Sequence, residues 1–168
     1  MTIDTIRKAP TPDAIAKMMS DLLGLPTTTK VLTAAVPTPA LRVLSTYVDD
    51  TSKLTWIGAM DIACAASAGA ALAMMPVGPV NDAIKGNTLT PAMIENSREV
   101  ANVAANLFNT LSGHGHVRLK DYIVAPQPIP SSLQTSMAKP VLRLDFDIAV
   151  RGYPVGKLTL FRVVPYAS

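Results

Sequence analysis

Two periods of hydrophobic and polar positions run through this chain, and they mark its elements. Apolar residues at helical spacing run from about Pro12 to Leu23, with Gly24 as a stop and Pro26 just beyond. They return from about Pro91 to Ser112, where Met93, Val100, Ala104, Leu107, Phe108 and Leu111 share one arc and Gly113 is the equivalent stop. A two-residue period replaces this over Val141–Val150. There Leu142, Leu144, Phe146, Ile148 and Val150 face one way, and Arg143, Asp145 and Asp147 the other. That alternation predicts an antiparallel strand with one buried face. Further strands are predicted at Lys30–Val36, Leu41–Asp49, Leu54–Met60, Val117–Val124 and Lys157–Val164. Arg151–Gly156 reads as a hairpin connection, and the Pro/Ser/Gln-containing segment Pro126–Pro140 as a surface loop.

The two helix starts match. Thr11-Pro12-Asp13-Ala14-Ile15 and Thr90-Pro91-Ala92-Met93-Ile94 share T-P-x-x-I at an offset of 79 residues. In each, Thr serves as N-cap and Pro takes the first helical position, where its missing N–H costs nothing. Each start leads into a helix and then three strands. The expected fold is therefore α+β, in one domain over residues 1–168. A duplicated α-β-β-β unit forms an antiparallel sheet with helices packed on one face. The pseudo-repeats cover about residues 11–61 and 90–164, joined by a helix over about 61–75.

That linking segment needs a choice. Ile62–Val80 is 19 residues without a charge, long enough to suggest a membrane span. It is built largely from alanine and glycine, and Pro76, Gly78 and Pro79 interrupt its last third. A buried helix from Asp61 as N-cap to Met75 is the better reading. The N-terminus carries Arg7 and Lys8 with no apolar stretch after them, unlike a signal peptide. A cytoplasmic protein without membrane contact is expected.

Composition narrows the function. With 168 residues, the chain can bury about 70% of its unfolded surface. Charged residues are 16% against 49% hydrophobic, so the surface is neutral, small-residue-rich or partly hidden in an oligomer. With several strands lacking lysine guards at their edges, a homodimer formed by sheet continuation is expected. The net charge of +3 comes without a Lys/Arg run, and aromatic residues number one Trp, four Tyr and three Phe. Both counts argue against nucleic-acid binding. Cys64 is the sole cysteine, so no intrachain disulfide forms; in an Ala-rich helix it reads as a buried small residue. His114-Gly115-His116 offers two imidazoles but no third ligand at metal-site spacing, so no metal site is assigned.

One stripe stands out. The chain has only two glutamates, Glu95 and Glu99, one helical turn apart, and Asn102 and Asn106 follow. On a helix these four fall within ~60° of one another, flanked by Arg98, Asn109 and Thr110. A solvated helix face is the plain alternative. Such a face favours charges of both signs with lysine, whereas this stripe gathers asparagines, which are poor helix formers, at a cost of about 1–2 kcal/mol for three. The first helix has no carboxylate followed three residues later by an amide.

Ser97-Arg98-Glu99-Val100-Ala101-Asn102-Val103-Ala104 resembles the E-x-x-N helix of the CheC/CheX/FliY family of response-regulator phosphatases. Leu54-Thr-Trp-Ile-Gly-Ala-Met-Asp-Ile-Ala resembles that family's strand-into-helix passage. Val117–Val124 ending in Ala125-Pro126 resembles its strand-then-proline step. With E-x-x-N in the second copy alone, the chain is most like CheX. Ala101 stands where the family often has glycine, and Glu95 where it often has Asp or Ser.

The resemblance implies a phosphatase acting on the aspartyl phosphate of a CheY-like receiver domain, with Glu99 and Asn102 as catalytic residues. Asn102 would position water in line with the scissile bond, and Glu99 would pair with a receiver lysine. Glu95, Arg98 and Asn106 would touch the partner. No cofactor of its own is implied; Mg2+ belongs to the receiver. A non-catalytic domain of the same fold, docking a receiver or signalling partner, is the alternative.

Overall fold

The computed structural model describes residues 9–111 and 115–164. Helix α1 spans Pro12–Leu23, strand β1 Thr27–Val31, β2 Val43–Asp49 and β3 Leu54–Met60. Helices α2 (Ile62–Leu72) and α3 (Val77–Gly86) link the halves. Then come α4 (Pro91–Asn109), β4 (Val117–Val124), α5 (Ser131–Ala138), β5 (Leu142–Val150) and β6 (Gly156–Arg162).

The caps form as their residues dictate. Thr11 Oγ1 accepts from Ala14 N–H at 3.1 Å, Thr90 Oγ1 from Met93 N–H at 3.2 Å and Asp61 Oδ1 from Cys64 N–H at 2.8 Å. Gly24 closes α1 at φ +67°, a conformation that glycine adopts without Cβ strain.

All six strands join one antiparallel sheet in the order β1-β5-β6-β3-β2-β4. Exchange β1 with β4, β2 with β5 and β3 with β6, and the order reads the same backwards. Each half lends its first strand to the other: Thr27 of β1 lies opposite Val150 of β5, and Val124 of β4 opposite Val43 of β2.

The main core lies between one sheet face and helices α1–α4, with Ile15, Met19, Trp56, Met93, Phe108 and Phe146 at its centre. Leu142, Phe146, Ile148 and Val150 all point into it, as the alternation of β5 requires. Cys64 is buried there, 4% exposed. No helix among the described residues is long and apolar enough to cross a membrane.

Several local expectations shift. The strand expected at Lys30–Val36 forms earlier, at Thr27–Val31, because the chain then leaves the sheet to cover its second face. There Val36 and Leu41 pack with Leu44, Ile57 and Phe161. The segment Pro126–Pro140 holds α5, whose Leu133 and Met137 also pack on this second face. The linking helix stops at Leu72 rather than Met75, and Met74 takes a left-handed φ of 53°. A second linking helix, α3, starts among the very breakers that seemed to end structure. Pro79 is tolerated because it falls in the first turn, where N–H groups need no helical partner. Helix α4 ends at Asn109; Ser112, Gly113 and His114 lie outside the described residues.

On the second face Asp145, 8% exposed, ties the strap 32–41 to the sheet. Its Oδ1 accepts from Val36 N–H at 3.1 Å, Thr159 Oγ1 at 2.8 Å and Arg143 Nη2 at 3.0 Å. Burial pushes its carboxyl pKa up, but Arg143, Thr159 and the Val36 N–H outweigh burial and hold it below the ordinary value. A depressed folded pKa gives stability that is present above the ordinary carboxylate range and lost as pH falls through the lower folded value. Asp145→Asn should therefore cost about 2 kcal/mol at neutral pH and flatten the acid limb of stability. Urea unfolding from pH 7 to pH 3 checks both; an acid limb as steep as the parent's refutes the assignment.

Candidate functional site

Helix α4 lies against the sheet with its apolar arc inward. Met93, Val100, Leu107 and Phe108 are buried, and Phe108 stacks on Trp56 with centroids 4.6 Å apart. Gly69 of α2 lets the two helices meet: a Cβ there would sit 2.6 Å from Met93 O. An apolar cavity of about 50 Å³ lies beneath, between α1, α4 and the sheet.

The outward stripe is open. Glu95, Arg98, Glu99, Asn102 and Asn106 are all exposed, on one face of one helix. The α5 segment lies across the other sheet face and so leaves the stripe uncovered. Ala101 and Ala105 are 5% and 7% exposed, so their methyl groups point inward and not into the stripe.

Asn109 does different work. Its Oδ1 accepts from Val117 N–H at 2.7 Å and its Nδ2 donates to Val117 O at 3.0 Å, fixing the start of β4. His116 is exposed, with Nδ1 3.7 Å from Asp50 Oδ1. Among the described residues no three His, Cys, Asp or Glu side chains are grouped to hold a metal ion.

Sequence reasoning passed over the residues under the stripe. Ser97 Oγ and Tyr122 Oη are 2.5 Å apart, and Tyr47 Oη donates to Ala101 O at 2.7 Å. The available signal was Ser97 itself, a hydroxyl on the apolar arc of α4. It is 0% exposed and therefore needs a partner.

Chemically the stripe presents carboxylates, one guanidinium and carboxamides on a rigid support. Its carboxylates and carboxamides stand without a Ser, Cys or His beside them on the stripe, an arrangement that suits the placing of groups on another molecule.

No family model matches the sequence, and no curated protein matches it. Solved structures do match by shape. A chain of the FliM–SpeE complex of H. pylori has a TM-score of 0.67 at 4% identity, covering 96% of this chain and 86% of that one. FliY of Thermotoga maritima has a TM-score of 0.59 at 12% identity, covering 98% and 92%. A chain of the CheX–CheY–BeF3–Mg2+ complex of Borrelia burgdorferi has a TM-score of 0.55 at 15% identity, covering 89% and 92%. At these identities the likeness speaks for the fold. This chain has the CheC/CheX/FliY fold, shared with FliY, CheX and the FliM middle domain.

Proposed function

We propose that the protein is a CheX-like phosphatase that hydrolyses the aspartyl phosphate of a response-regulator receiver domain. The observation that carries this reading is the exposed Glu99–Asn102 pair, standing on the second repeat helix of this fold and absent from the first. A protein of the same fold from Borrelia burgdorferi, CheX, occurs in a complex with CheY, BeF3 and Mg2+.

In the proposed reaction Asn102 orients a water molecule in line with the phosphorus. The water oxygen forms a new P–O bond. The bond to the receiver's aspartate breaks, its electron pair returns to that carboxylate, and inorganic phosphate leaves with the water's protons. The metal ion is the receiver's own, and this chain contributes position and hydrogen bonds. Glu99 anchors the receiver through a lysine, and Glu95, Arg98 and Asn106 widen the contact. The test is phosphate release from a panel of receiver domains loaded with acetyl phosphate. Release from one or more, above their own decay, supports the reading, and no release from any refutes it.

Glu99→Ala should weaken receiver binding about tenfold, roughly 1.4 kcal/mol, because it removes a charge anchor while leaving the amide in place. Titration calorimetry with a BeF3-loaded receiver reads this directly, and unchanged affinity removes Glu99 from the anchor role. Glu95→Ala should matter less.

A second reading is a non-catalytic docking domain. The observation favouring it is the likeness to chains of complexes named FliM–SpeE and FliG–FliM. Binding without phosphate release would select it.

Self-association is part of the proposal, motivated by the low charge fraction. The sheet edges carry Lys30 on β1 and Arg118 and Lys120 on β4, which discourage edge-to-edge pairing. A dimer would therefore form elsewhere, and a monomer mass by light scattering at high micromolar concentration refutes it.

A further inference from the structure

Tyr47 and Tyr122 stand on neighbouring strands, β2 and β4, and both reach the underside of α4. Tyr47 Oη donates to Ala101 O at 2.7 Å. Tyr122 Oη is 2.5 Å from Ser97 Oγ. Ser97 Oγ also lies 3.2 Å from Ile94 O, and either hydroxyl of the Ser97–Tyr122 pair can be the donor in their bond. Two phenol groups thus hold α4 at residues 97 and 101, one turn apart, on the side away from Glu99 and Asn102. The Tyr47 ring is itself fixed, edge-on to Phe108 with centroids 4.8 Å apart. Burial pushes the pKa of both phenols up, so both stay protonated through the neutral range.

Helix α4 does not need these bonds to be a helix, because its carbonyls are served by its own ladder. What they determine is where the helix lies. A roll of about 10° moves a side-chain atom ~6 Å from the axis by about 1 Å. A misplacement of that size can cost about a hundredfold in rate.

We infer that Tyr47 and Tyr122 are positioning residues for the Glu99–Asn102 pair, setting the roll and height of α4 against the sheet. The kinetic part of this inference rests on the phosphatase reading; the positional part rests on geometry alone.

Tyr47→Phe, Tyr122→Phe and the double variant keep both rings and remove the hydroxyls. Amide hydrogen exchange in the free protein should quicken over residues 98–106 while α1 and the central strands stay protected. On a phosphorylated receiver, kcat should fall about tenfold for each single variant and about a hundredfold for the double, with KM little changed. Ser97→Ala should reproduce Tyr122→Phe and add nothing to it, because the two act through one bond. Wild-type exchange in the double variant overturns the inference, and so does quickened exchange with unchanged kcat. If the wild type releases no phosphate from any receiver, the phosphatase reading fails by itself, and the exchange measurement alone decides the positional claim.

Discussion

Asn102→Ala is expected to slow single-turnover dephosphorylation of a receiver by about 10²–10³-fold, the scale for removing one positioned polar group from a transition state. Receiver binding should stay nearly intact. Asn102 is exposed at the middle of the stripe, so its truncation opens no cavity and strands no buried partner. The side chain offers both a donor and an acceptor, which lets it face phosphoryl oxygens and a water molecule together. Alanine is also the better helix former, so α4 should persist or gain slightly. Rate and affinity therefore separate cleanly in this variant, in the opposite sense to Glu99→Ala. The measurement is loss of phosphoryl label from the receiver with enzyme in excess. Loss at the wild-type rate ends the catalytic assignment and leaves the docking-domain reading.

The largest effect on stability is expected at Gly156, the first residue of β6. A Cβ there would lie 2.2 Å from both Cα and N of Cys64. Those are backbone atoms, and they cannot swing aside as a flexible side chain would. Asp61 holds the approach tight: its Oδ1 accepts from Cys64 N–H at 2.8 Å and from Lys157 N–H at 3.0 Å, tying α2 directly to β6. Gly156→Ala must separate the two backbones and break this double bridge. A loss of about 4 kcal/mol or more is expected, enough to threaten the folded state. Gly78→Ala is the contrast, since nothing lies within 4 Å of its Cβ position and its φ is unremarkable. It should be neutral or stabilising by about 0.5 kcal/mol. Urea midpoints of the two variants check the pair; equal midpoints refute the close-approach argument.

What could be read from the sequence was local. Thr11-Pro12 and Thr90-Pro91 announce helix starts because cap and first-turn chemistry need only adjacent residues. The alternation of β5 and the arc of α4 are legible because the apolar positions of each point into the same main core. The open stripe on α4 follows from the same periodicity. Harder to read was anything decided by distant partners. The start of β1 depends on β5, more than a hundred residues away. The short helices α3 and α5 carry few apolar positions, and prolines at their starts read equally well as loops. Asn109 looked like part of the stripe until β4 came to lie beside it. Gly156 looked like a turn residue, and only the packing of α2 shows that a missing side chain is what the site requires. Tyr47 and Tyr122 are ordinary strand residues until a helix lies across them.

The exchange of first strands between the halves is symmetrical in space but not in time. When β4 leaves the ribosome, its neighbour β2 has already been made. Strand β1 has no such luck: the partner of Val31 is Phe146, 115 residues further on. At ordinary translation rates that is a wait of roughly 6–23 s. For that interval the newborn chain carries a threonine-rich strand with both backbone edges bare, and the molecule closes only once its final third has been synthesised.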